Sequence, residues 1–192
     1  MSFLSFLIKI NHIQPIYDMP PEAKRCVLII APHTSMMDFV LGKMIFKEIG
    51  IKPVIVIKKE LFFFPLGIIL RKMGAIPINR AHAARFPHFA AELIKNSDEM
   101  TLTICPEGTR KRVEKWKRGF YLIAQEANVP ICLGHLDYRS HTGGIRKVFY
   151  PTGDYEKDIV EIEKYYYGMC GYHKGHFNLE DQPYAHPEWL TK

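Results

Sequence analysis

The chain has 192 residues, enough for one domain to bury a core without cross-links. Its composition, 47% hydrophobic and 24% charged with no repeat or low-complexity tract, excludes disordered and fibrous classes. Lysine and arginine outnumber aspartate and glutamate by 26 to 20, giving a net charge of +6. That balance suits an anionic partner (a phosphorylated substrate, a lipid headgroup or nucleic acid) without choosing among them.

In chain order, residues 1–24 begin with an apolar stretch, FLSFLIKI. It falls short of the roughly 20 apolar residues that span a bilayer. It also lacks the basic flank and small-residue cleavage site of a signal peptide, so it is read as a weak interfacial segment. Strands are expected at 26–31 (CVLIIA), 53–57 (PVIVI), 74–78 (GAIPI), 101–105 (TLTIC), 131–136 (ICLGHL) and 145–150 (IRKVFY). Helices are expected over 36–49, within 82–96, over 118–128 and over 155–167. Pro87 suits a first helical turn better than an interior. Between the second and third strands lies LFFFPLGIIL (61–70), read as core for most of its length. The alternatives are the lining of an apolar tunnel or a surface dipping into a membrane beside Lys58, Lys59, Arg71 and Lys72. Residues 168–192, rich in Gly, His and Pro, are expected to form an irregular tail.

Near-continuous hydrophobic strands alternating with helices predict an α/β fold, one domain over 1–192 with a mostly parallel sheet flanked by helices. The four cysteines (Cys26, Cys105, Cys132 and Cys170) form no C-x-x-C pair, and three fall in strand-like runs. Buried free thiols in a reducing, cytoplasmic chain are expected. The nine histidines show no paired ligand spacing, so no metal site is expected.

The chemistry-bearing residues gather after strands. His33 follows the first, Arg80 the third, and Glu107, Gly108, Thr109 and Arg110 the fourth. Open α/β sheets bind ligands beyond the carboxyl ends of their strands. If both were helical, His33 and Asp38 would stand about 140° apart, so they meet only if His33 lies in the loop and Asp38 in the first helical turn. An imidazole oriented by a carboxylate is a general base, its ordinary pKa of about 6.5 lying in the useful range. The competing reading is a capping box, Ser35-x-x-Asp38, with His33 a polar loop residue. On this pair alone the capping box is preferred. In PEGTRKRVEKWKRGF (106–120), Gly108 admits close backbone approach, Thr109 offers a hydroxyl, and Arg110 offers a fork suited to phosphate. Lys111, Arg112 and Lys115 read as solvated charges. In GAIPINR, Pro77 implies an edge or bulged strand delivering Arg80 to the same side. Cys105 sits in an apolar run without an adjacent base, which disfavours a nucleophile.

Taken together, PHTSMMD, GAIPINR, PEGTR and VPICLGHLDY occur in the order and spacing of the four blocks of the glycerolipid (lysophosphatidic acid-type) acyltransferase family. The resemblance runs from about residue 25 to residue 150, and HTSMMDFVLG and WKRGFYLIA look most like a short bacterial branch without a spanning helix. It implies an acyltransferase-like fold and a catalytic pair in which His33 deprotonates an acceptor hydroxyl and Asp38 holds the imidazole tautomer. The hydroxyl would attack a fatty acyl thioester directly, with positioning and a helix-start oxyanion site supplying much of the rate. Arg80, Gly108, Thr109 and Arg110 would hold the acceptor's phosphate, and Glu107 would order Arg110 and the loop. The resemblance implies no cofactor. The donor would be acyl-CoA or acyl carrier protein, the acceptor a lysophospholipid-like alcohol of the 1-acylglycerol-3-phosphate type, and the place the cytoplasmic inner face of an anionic membrane. Two other readings stay open: an amino-acid lipid or glycolipid acceptor, and a non-catalytic lipid-binding protein at the membrane surface. The basic residues cluster at one loop without interleaved aromatics beyond Trp116, so nucleic acid is not an expected partner.

Overall fold

The computed structural model describes residues 13–17, 21–72, 74–78 and 85–190. The first twelve residues, including FLSFLIKI, and Arg80 lie outside this set. The strands are β1 (Gln14–Tyr17), β2 (Arg25–Ala31), β3 (Pro53–Lys58), β4 (Ala75–Ile78), β5 (Met100–Ile104), β6 (Ile131–Asp137) and β7 (Thr142–Phe149). The helices are α1 (Met36–Glu48), α2 (Leu66–Lys72), α3 (Phe86–Lys95), α4 (Gly119–Ala127) and α5 (Tyr155–Lys164). One sheet runs in the order β1-β7-β6-β2-β5-β3-β4. β6, β2, β5, β3 and β4 are parallel; β7 pairs antiparallel with β6, and β1 lies parallel to β7.

Alternation along the central strand explains the layers. Val27, Ile29 and Ala31 of β2 join Leu102, Ile131 and Leu133 in a core covered by α3, α4 and the C-terminal tail. Cys26 and Leu28 point to the other face, toward Phe46 of α1, Cys132 and Ile145. A strand buried on both faces has no polar side, which is why β2 reads as a continuous apolar run.

The fold departs from the sequence reading in three places. Residues 14–17, expected within an interfacial segment, form edge strand β1, and Ile13 beside it packs on Leu41, Met44, Ile45 and Leu136. Gly144 permits this pairing, since a Cβ there would stand 1.8 Å from Ile16 O at φ +144°. β7 begins at Thr142, three residues before the expected 145. The 61–70 run, expected to be mainly core, is not. It carries the 3-10 turn Lys59–Leu61 and helix α2, with Gly67 and Leu70 buried but Phe63 58% and Phe64 82% exposed. Leu61, Ile68 and Ile69 are exposed with them. Seven residues of helix seat one narrow stripe on the sheet and leave the rest outside. Pro77 lies in β4, at the sheet edge as its missing N–H requires. Among the described residues, no helix is long and apolar enough to cross a membrane.

Candidate active site

Three adjacent parallel strands, β5, β2 and β6, deliver the central residues. Ile29 pairs with Ile104 and Ala31 with His135, so the loops after these strands emerge at one height. His33 follows β2, Glu107 follows β5, and Tyr138 follows β6. β4, which precedes Arg80, lies at the far edge, separated from β5 by β3.

Helix α1 starts as the capping-box reading requires. Ser35 Oγ accepts from Met37 N–H at 3.1 Å, and Asp38 Oδ2 accepts from Ser35 N–H at 2.7 Å. The same oxygen takes Thr34 N–H at 2.7 Å and faces His33 Nδ1 at 3.4 Å. The two readings of Asp38 are therefore not alternatives: one buried carboxylate caps the helix and stands against the imidazole. With Nδ1 turned to Asp38, Nε2 is the ring atom left for a substrate, on a side chain that keeps 21% exposure.

Glu107 was expected to order Arg110. Among the described residues that pair is not formed, and the side chain turns inward instead. Its Oε1 accepts His33 N–H at 3.0 Å, which ties the two motifs together. Its Oε2 is buried without a protein partner. With Glu107 only 4% exposed, burial outweighs the bond from His33 and pushes the carboxyl up to about 8. Glu107 thus holds a proton at neutral pH. Burial, then Glu107 once it ionises and the Asp38 carboxylate, push the Cys105 thiol well above its ordinary range, which makes it no nucleophile.

Gly108 turns the loop at φ +66°, donating its N–H to Cys105 O at 3.0 Å. Lys117 covers it: a Cβ on Gly108 would meet Lys117 Cε and Nζ at 2.7 Å. Thr109 and Arg110 are exposed beside them. Arg112, expected to be a solvated charge, instead reaches the tail, donating to Phe177 O at 3.2 Å and pairing with Asp181 at 3.3 Å.

The tail also reaches the site, which sequence reasoning did not foresee. His176 Nδ1 lies 3.2 Å from Arg110 O, and His173 N–H donates to Thr34 Oγ1 at 3.0 Å. Buried carboxylates hold the tail in place. Asp137 accepts from Cys170 N–H at 2.8 Å and Tyr184 O–H at 2.5 Å, and Glu180 Oε2 accepts from Gly175 N–H at 2.7 Å. His135, stacked 4.7 Å from Trp189, is pushed down to about 3 by burial and stays neutral. Away from this edge, exposed His88, Glu92 and Glu126 on α3 and α4 have ligand atoms within 4.8 Å of one another, though Lys95 already pairs with Glu92 at 2.9 Å.

A histidine and a carboxylate at the carboxyl edge of an open α/β sheet, beside a glycine turn and cationic side chains, suit acyl or phosphoryl chemistry on an anionic substrate. The family model described as Acyltransferase matches residues 9–132. The chain belongs to the acyltransferase family. Its fold is similar to that of the 1-acyl-sn-glycerophosphate (LPA) acyltransferase PlsC from Thermotoga maritima, with a TM-score of 0.59 and 20% identity. The likeness covers 84% of this chain and 73% of that one. No curated protein matches in sequence.

Proposed function

We propose that the chain transfers a fatty acyl group from an acyl thioester, acyl-CoA or acyl carrier protein, to the hydroxyl of a lysophospholipid-like acceptor. The observation that carries this reading is the His33–Asp38 pair, 3.4 Å apart, tied through Glu107 to the PEGTR loop. His33 Nε2 takes the acceptor's hydroxyl proton while that oxygen attacks the thioester carbonyl. The C–S bond then breaks, and the leaving thiolate takes the proton from the imidazolium. Asp38 fixes the tautomer and stabilises the imidazolium. Thr109, Arg110 and Lys117 border the place of the acceptor's phosphate, with Arg80 assigned to it on the sequence motif.

The exposed apolar surface supplies the route to substrate. Leu61, Phe63, Phe64, Ile68 and Ile69 stand out beside exposed Lys59, Arg71 and Lys72. A diacyl product does not leave into water, so we assign this face to an anionic bilayer surface, with the chain at the inner face of the cell membrane.

The test is turnover by the purified chain with acyl-CoA and acyl carrier protein donors against lysophosphatidic acid, a hydroxylated amino-acid lipid and a glycolipid. Phosphatidic acid as the main product is the expected result. Faster acylation of an acceptor without phosphate would replace the acceptor assignment, and no transfer to any would leave a lipid-binding role.

A further inference from the structure

Asp38 is anchored from two directions. Its Oδ2 serves His33 and the α1 N-terminus, while its Oδ1 accepts from Tyr138 O–H at 2.9 Å. Tyr138 lies 100 positions from Asp38 and beyond residues 9–132 of the family match. The tail sets its pose. Tyr138 N–H donates to Cys170 O at 3.0 Å, and the ring meets Tyr172 edge-on with centroids 5.4 Å apart. The same tail presses on the residue next to His33. Gly171 packs so close to Thr34 that a Cβ would stand 2.4 Å from Thr34 Cγ2, and His173 N–H reaches Thr34 Oγ1. One segment thus touches both sides of the His33–Asp38 pair.

A carboxylate held only at one oxygen can swing about its terminal torsion, which is broad. The two bonds to Oδ2 hold one end of the group, and the phenol on Oδ1 holds the other. We propose that Tyr138 is a positioning residue for acyl transfer, its hydroxyl fixing the Asp38 carboxylate so that Oδ2 stays on His33 Nδ1, and that the C-terminal tail holds Tyr138 in that role. This rests on the acyl-transfer reading above. Burial, and then the neighbouring Asp38 charge, hold the phenol well above its ordinary range, so it remains a donor at working pH. The other titratable groups around Asp38 are Glu107 and Cys105 after β5 and Tyr172 of the tail, which meets Tyr138 rather than the carboxylate.

The informative variant is Tyr138→Phe, which keeps the ring against Tyr172 and the N–H bond to Cys170 and removes only the hydroxyl. Turnover is compared for the wild type, Tyr138→Phe, Asp38→Asn and the double variant, with melting temperature as the folding control. The expected result is a fall in kcat of about ten- to a hundredfold, the size of one hydrogen bond to a charged group, with KM for both substrates unchanged. Adding Tyr138→Phe to Asp38→Asn should then cost little more, because the phenol acts through that carboxylate. Full kcat in Tyr138→Phe, or losses that multiply in the double variant, would overturn the proposal. A second readout needs no turnover: the low-field NMR signal of the His33 Nδ1 proton should move or broaden in Tyr138→Phe. If the wild type acylates nothing, the function assigned above fails and this signal alone decides the positioning role; an unchanged signal refutes it.

Discussion

Replacing Glu107 with glutamine should remove a pH dependence of folding that the wild type carries. The carboxyl is buried and pushed from its ordinary 4.5 up to about 8, so the folded state binds its proton more tightly than the unfolded chain does. A group with a raised folded pKa contributes stability that is complete below the unfolded pKa and lost as pH rises through the folded one. Stability from Glu107 therefore falls between about pH 4.5 and about pH 8 and is flat on either side. That interval, at 1.36 kcal/mol per pH unit, sets a ceiling of about 5 kcal/mol. Neutral His135 works in the opposite sense, adding stability as pH rises from about 3 toward its ordinary 6.5. It is present in both proteins, so the difference between them isolates Glu107. Glutamine keeps an oxygen for the His33 N–H and cannot ionise. Urea denaturation of both proteins at steps from about pH 5 to about pH 8 should show the wild type losing ground steadily to Glu107→Gln. A difference that stays constant over that window would refute the buried, proton-holding carboxyl.

Two further outcomes follow from packing. Gly144→Ala forces a Cβ onto Ile16 O and should prise β1 from β7, with a loss of about 2 kcal/mol or more and faster hydrogen exchange over residues 13–17. Protection at Ile16 equal to the wild type would contradict the pairing. Phe63→Ser with Phe64→Ser should leave the melting temperature nearly unchanged, because both rings already face solvent, yet weaken binding to anionic vesicles about a hundredfold. Unchanged vesicle binding would remove this face from the membrane.

Much of the architecture is visible in the chain because β2, β3, β5 and β6 are apolar runs separated by helix-like stretches, and the Ser35–Asp38 spacing marks the start of α1. β1 escaped because Gln-Pro-Ile-Tyr is short and mostly exposed, and its place depends on a glycine in a strand far along the chain. Composition reveals that 61–70 is oily but not which way it faces. A seven-residue helix with one buried stripe and a strand with two buried faces can share the same letters. Local spacing was enough to place His33 beside Asp38 and a turn at Gly108, as the structure has them. Tyr138, Lys117 and Gly171 matter through partners that only the folded chain brings near, and Arg112 looked solvated because its partner Asp181 lies in the irregular tail.

Acyl transfer by His33→Ala, measured beside the wild type on the same thioester and the same lysophospholipid, decides whether His33 is the general base. Removal of a general base typically lowers the rate by about 10²–10⁴-fold, and a loss of that size with an unchanged melting temperature is the predicted result. A folded His33→Ala protein that acylates as fast as the wild type would contradict the account.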